Sequence, residues 1–281
     1  MKKTPFRFCL NTSTIRCGDL PIDEKVRVAA EAGYDGIEPW VRELDAAAAA
    51  GGAVEDVGRR AKDAGLEIVN LIGFFDWAGP DPESRRKGAE EARRSFDLAR
   101  RVGATRVAAP PMGFKENAAA DLDGLAASYA ALIDLGREFG VVPVLEFWGH
   151  SKALGRLSQA LYVAAASGRE EACVLADVFH MYKGGSPFEG LSLAGPKTVG
   201  LFHVNDYPAQ PPRETITDAD RVYPGDGVAP MTGILARLAA AGYRGYLSVE
   251  LFNKTYWQQP AGDVAATGLA KIRACARAAL G

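Results

Sequence analysis

At 281 residues the chain is long for one ordinary domain but usual for a single α/β barrel, and no shift of composition divides it. With 48% hydrophobic and 24% charged residues the composition is that of a globular protein, and a formal charge of −2 gives no electrostatic footprint for nucleic acid or an anionic membrane. The four cysteines form no CxxC pair, no run approaches the ~20 apolar residues of a membrane helix, and no sustained apolar stretch follows Lys2 and Lys3; these features predict a soluble protein of the reducing cytoplasm.

A strand-then-helix rhythm runs from end to end. Residues 6–11 (FRFCLN) predict a first strand, and 23–33 its helix, closed by Gly33. A second strand covers 34–40, and the alanine- and charge-rich stretch 46–65 reads as its helix, again ending on glycine. A third strand follows over 66–75, then an amphipathic helix over 82–103 with Pro82 near its start and Gly103 at its end. The fourth strand is 105–111 and its helix 121–140. The second half repeats the pattern, with strands at 141–147, 173–179, 199–205 and 246–252 and helices at 154–168, 231–243 and about 263–280. Eight apolar strands separated by helices predict one (β/α)8 barrel over residues 1–281. The proline-rich, polar segment 206–229 after the seventh strand is a long loop on the face where barrels carry their chemistry.

Four of the apolar runs end in groups that bind or transfer protons: Glu146 in VVPVLEFWGH, Asp177 in CVLADVFHMY, His203 in VGLFHVNDY and Glu250 in YLSVELFN. Any one carboxylate at a strand end is as readily a helix cap. Delivered together by the fifth to eighth strands, three acids and an imidazole would be costly to bury unpaired, and a divalent cation resolves that cost. An oxygen- and nitrogen-rich donor set without thiolate suits Mn²⁺, Mg²⁺, Co²⁺ or Zn²⁺.

The strings VLEFWGH, LADVFHMYKGG, FHVNDY, DRVYPGDG and YLSVELFN resemble, over almost the whole chain, the sugar phosphate isomerase/epimerase superfamily of xylose-isomerase-like barrels, and within it most closely the inosose (2-keto-myo-inositol) isomerase type. The resemblance implies that Glu146, Asp177, His203 and Glu250 bind one metal ion, with Glu146 and Glu250 also moving protons. It further implies that His180 and Arg221 contact substrate; a satisfied loop histidine and a salt-bridged loop arginine are the plainer alternatives. His150 in EFWGH, Glu38 after the second strand and Asn11 after the first are candidate pocket liners. Trp40, Phe75, Trp77, Trp148 and Tyr256 suit a sugar ring's apolar face or ordinary packing, and Lys152 and Lys183 are either proton-transfer groups or solvated loop lysines.

A ketone and an adjacent hydroxyl chelated at such a metal would lose the intervening proton through an enediolate. Returning the proton to the opposite face gives epimerisation, and returning it to the neighbouring carbon gives isomerisation. Expelling a β-hydroxyl gives dehydration, so a dehydratase or 3-keto-glycoside lyase is the alternative to a keto-sugar or ketocyclitol isomerase. Only three histidines and no basic surface argue against an endonuclease of the same superfamily, and an intact ligand set argues against a vestigial binding barrel. No glycine-rich phosphate cradle is evident, which favours an unphosphorylated small-molecule substrate, with neither nucleic acid nor membrane as partner. A homo-oligomer stays open, since barrels of this kind often self-associate.

Overall fold

The computed structural model describes residues 4–79, 81–114 and 121–281; Lys2 and Lys3, used in the leader argument, lie outside them. The apolar runs form eight strands, β1 (Arg7–Asn11), β2 (Gly36–Glu38), β3 (Glu67–Ile68), β4 (Arg106–Ala109), β5 (Val142–Glu146), β6 (Val174–Asp177), β7 (Val199–Val204) and β8 (Tyr246–Val249). All neighbouring strands are parallel, in the order β3-β2-β1-β8-β7-β6-β5-β4. Beyond the end of β3, the Leu71 N–H donates to Arg106 O at 3.1 Å and the Ala108 N–H to Leu71 O at 2.9 Å, which closes the ring. The helices pack outside it: α1 (Ile22–Ala32), α2 (Val41–Ala49), α3 (Val54–Asp63), α4 (Pro82–Val102), α5 (Leu122–Arg137), α6 (Leu157–Ala166), α7 (Val178–Gly184), α8 (Met231–Ala240) and α9 (Ala261–Leu280).

Two cores result. Cys9, Val69, Ala108, Val144, Leu175, Leu201 and Tyr246 fill the barrel's interior, while a larger apolar layer lies between strands and helices. Close packing inside demands a glycine at position 36, where a Cβ would come within 2.5 Å of Val69 Cγ2 and 2.9 Å of the Tyr246 ring.

Three expectations differ. The helix read over 46–65 is two helices, broken where Gly51 takes a φ of 86°. The third strand is much shorter than 66–75, because after Ile68 only isolated bridges at Leu71 and Ile72 continue the pairing. The sixth strand stops at Asp177, and VFHMYKG forms α7: the Asp177 carboxylate accepts from the His180 N–H at 2.8 Å and Asn205 Oδ1 from the Phe179 N–H at 2.9 Å. With its first free N–H groups satisfied, that segment turns helical despite its apolar composition.

Candidate metal and substrate site

Period-two alternation along the strands builds the site. Interior residues Cys9, Val144, Leu175, Leu201 and Tyr246 are followed two positions later by Asn11, Glu146, Asp177, His203 and Ser248, and Glu250 comes two after Ser248. Each polar side chain therefore faces inward at the carboxyl end of the barrel. Strand register sets Asp177 beside His203, His203 beside Ser248 and Asn11 beside Glu38.

Donor atoms of Asp177, His203 and Glu250, all buried, lie within 4.8 Å of one another. His203 Nδ1 faces Glu250 Oε2 at 3.1 Å and Asp177 Oδ2 at 3.9 Å without a well-directed hydrogen bond to either. A buried imidazole nitrogen with no hydrogen bond, aimed between two carboxylates, fits a divalent cation. Glu146 is not in that set of three, but it lines the same cavity as Glu250. Burial, and next the charge of Glu250, push the Glu146 carboxyl up to about 8. Burial also opposes the charged forms of His203 and Glu250. At His203 it is outweighed by Glu250 and Glu38, which raise the imidazole well above its ordinary range. At Glu250 it is outweighed by His203 and Arg221, which lower the carboxylate.

Arg221 comes from the long loop after β7, whose base is tied by the Asp206 carboxylate accepting from Tyr207, Gly225 and Ala229 N–H groups at 2.8–3.0 Å. Its buried guanidinium donates to Glu250 Oε2 at 2.9 Å, Asp177 Oδ2 at 3.1 Å and Asp218 Oδ1 at 2.5 Å. It also faces His180 Nε2 at 3.2 Å, a contact that needs the unprotonated lone pair there. The Gly149 N–H lies 3.4 Å from His180 Nδ1, and a neutral ring cannot accept at both nitrogens, so we take the shorter Arg221 contact as the hydrogen bond. Burial holds His180 down to about 4, in keeping with a neutral ring.

His150, His180 and Arg221 line a cavity of about 220 Å³ together with Glu146, Glu250 and the rings of Trp40, Phe74, Trp148 and Phe252. That is below the roughly 300–1,000 Å³ typical of drug-sized ligands, and suits one small polyhydroxylated ring. His150 stacks on Trp148 with centroids 5.4 Å apart. A larger apolar cleft of about 630 Å³ near Phe114 and Leu132 holds, of the candidates, only Trp77, and none of the predicted metal-binding, catalytic or substrate-contacting residues.

Glu38 requires a correction. Expected to touch substrate, it is fully buried behind His203, with its carboxylate oxygens 3.1–3.2 Å from His203 Nε2. It also accepts from Asn70 Nδ2 at 2.9 Å and from the Ser248 hydroxyl. Asn11 donates to Glu250 Oε1 at 3.0 Å and accepts from Trp40 Nε1 at 3.1 Å. Among the aromatics, Trp40 and Trp148 reach the cavity; Phe75 and Trp77 are buried in the outer core and Tyr256 stacks on Tyr223. Lys183 donates to the carbonyls of Arg213, Glu214 and Ile216, which makes it a loop anchor.

Several site groups escaped the sequence reading. Asn205, which donates to Asp177 Oδ2 at 2.8 Å, lies two residues beyond His203 and was findable by the same alternation. Ser248, two before Glu250, was findable likewise. Phe252 continues the alternation two beyond Glu250, whereas Asp218 and Asn70 carry no signal of that kind.

A family model described as xylose isomerase-like TIM barrel matches residues 26–275. Inosose isomerase of Bacillus velezensis is 28% identical over 202 residues, 71% of either chain. The 3-dehydroshikimate dehydratase of Pseudomonas aeruginosa is 30% identical over 91% of this chain, which spans 39% of that longer protein. Among solved structures, an IolI protein with a bound zinc atom superposes with a TM-score of 0.86 at 22% identity, covering 96% of this chain and 98% of the other. No helix among the described residues is long and apolar enough to cross a membrane. The barrel, the three converging donors and these relatives make the protein an enzyme of the sugar isomerase/epimerase class, and the chain belongs to the xylose isomerase-like TIM barrel family.

Proposed function

We propose that the protein is a divalent-metal-dependent isomerase or epimerase of a keto-sugar or ketocyclitol, resembling inosose isomerase in its chemistry. The observation that carries this reading is the meeting of Asp177, His203 Nδ1 and Glu250, beside a cavity that Glu146 also lines. A divalent cation such as Mn²⁺, Mg²⁺, Co²⁺ or Zn²⁺, when bound, supplies Lewis acidity to a ketone and its adjacent hydroxyl. Asp177, His203 and Glu250 would hold it, and Glu146 would complete the set. Glu146 and Glu250, two of the three carboxyl groups that line the cavity (the third is Asp218), take and return the proton. Arg221, His180 and His150 orient hydroxyl groups, while Trp40, Phe74, Trp148 and Phe252 exclude water and cover the ring's apolar face.

The similarity to 3-dehydroshikimate dehydratase favours a second reading, in which the same proton abstraction is followed by loss of a β-hydroxyl. The four thiols are free, three of them buried, which supports a cytoplasmic setting. Incubation in D₂O with 2-keto-myo-inositol, ketohexoses, 3-keto-glycosides and 3-dehydroshikimate, followed by NMR, tests both readings. Deuterium at the carbon next to the ketone is expected, with water loss only in the second case. Chelation should abolish exchange and Mn²⁺ should restore it; exchange that survives complete chelation overturns the metal-dependent reading.

A further inference from the structure

Arg16, between two short 3₁₀ turns after β1, lies outside everything assigned so far. Its guanidinium sits 4.5 Å from the centroid of Trp40, 5.2 Å from Phe252 and 5.5 Å from Trp257. Trp40 and Phe252 are walls of the 220 Å³ cavity. Within this cage Arg16 Nε and Nη2 are sealed from solvent and have no hydrogen-bond acceptor. The two carboxylates that act on it electrostatically are already engaged. Glu43 takes Lys25 and Thr12 at 2.6 Å each and the Trp40 N–H at 2.8 Å, while Glu250 takes Asn11 and Arg221. A second guanidinium, Arg42, lies 4.4 Å from the Trp40 ring, is exposed, and has no ion-pair partner among the described residues. Burial, and next the charge of Arg42, hold Arg16 down to about 10 against the opposing pull of Glu43 and Glu250.

A cationic fork with sealed, unpaired donors is costly in a finished structure, and aromatic faces offset only part of that cost. Fork-shaped donors of this kind match carboxylate and phosphate oxygens. Phe252 and Trp257 are part-buried, so the cage has side chains able to yield. We propose that Arg16, with Arg42 outside it, is an anion-recognising edge of the substrate cavity, and that the substrate is a hydroxy-ketone bearing a carboxylate or phosphate group. This rests on the cavity being the substrate site, as in the preceding reading, and narrows its substrate class.

Binding to the full chain, followed by tryptophan fluorescence and calorimetry, would compare 3-dehydroshikimate (carboxylate), fructose 6-phosphate (phosphate) and 2-keto-myo-inositol (neutral). We expect one anionic compound to bind about tenfold or more tighter than the neutral one, with 3-dehydroshikimate or fructose 6-phosphate identifying the anion. Arg16→Gln should erase that advantage while leaving the neutral affinity unchanged, and Arg16→Lys should retain part of it. Should Arg16→Gln fold poorly, Arg16→Lys and Arg42→Gln, each expected to reduce the anionic preference, carry the comparison. Equal binding of all three compounds, no binding of either anion, or an anion-to-neutral ratio untouched by these variants overturns the proposal. Failure of the isomerase reading is separately visible, as anion binding without proton exchange in D₂O.

Discussion

Loading the metal-free protein with a divalent cation should expel close to two protons at pH 7. Glu146 at about 8 is roughly 90% protonated at pH 7. His203, raised well above its ordinary range by Glu250 and Glu38 against the opposing effect of burial, favours its protonated form. Both must deprotonate to act as ligands, whereas Arg221 can only withdraw from the oxygens of Asp177 and Glu250. The expected sum is therefore ~2 protons per ion, and the apparent affinity should rise by roughly one to two decades per pH unit below 8. The sign follows from competition: protons hold the ligands at low pH, so affinity is lost as pH falls. Calorimetric titration of Mn²⁺ into chelator-treated protein, in buffers of different protonation enthalpy, gives the number directly. Glu146→Gln should reduce it to about one. Tight binding with no proton release would refute the assignment of both Glu146 and His203 as ligands.

Arg221→Met removes the cation that bridges Asp177 and Glu250, and should destabilise the metal-free protein by about 3–5 kcal/mol. Melting with and without Mn²⁺ checks this, because the metal should restore more stability to the variant than to the parent. Glu38→Gln disturbs the buried contact that orients His203, and should weaken metal binding by about 10–100-fold in a direct titration, with Ser248→Ala a milder version of the same loss. His180, near 4 when folded and about 6.5 when unfolded, binds fewer protons in the native state across that interval. Its contribution, up to about 3 kcal/mol, is present above pH 6.5 and lost as pH falls toward 4. Denaturant unfolding at pH 7.5 and pH 5 should show His180→Phe losing less stability on acidification than the parent.

The barrel and its ends were legible because strand burial leaves a local mark. A parallel strand covered on both faces is a short apolar run, and a charged residue within such a run is expensive enough to require a purpose. Glu146, Asp177, His203 and Glu250 stand out for that reason. The limits of the strands were less legible, since cap chemistry competes with composition: VFHMYKG is apolar enough for a strand, yet the Asp177 carboxylate and the Asn205 amide make it a helix. Glu38 carried the same strand-end mark as the other acids and was still misplaced. Whether such a residue faces the cavity or lies behind a neighbour depends on which side chain the adjacent strands put in front of it, and here His203 intervenes.

Substrate recognition is less legible than the metal centre for a further physical reason. The ligands are fixed by a two-residue period along single strands, whereas the cavity wall is gathered from Trp40, Phe74, Trp148, Arg221 and Phe252, which follow five different strands. Arg16 makes the point most sharply. In sequence it is an arginine in the polar turn after β1, and nothing in its neighbours distinguishes it from a solvated charge. Its significance arises only because Glu43 and Glu250 are already satisfied by other partners, leaving two nitrogens of the guanidinium, Nε and Nη2, shielded among rings and without an oxygen to bind. An unpaired cation is a property of the whole hydrogen-bond network, so no window of sequence around residue 16 could have displayed it.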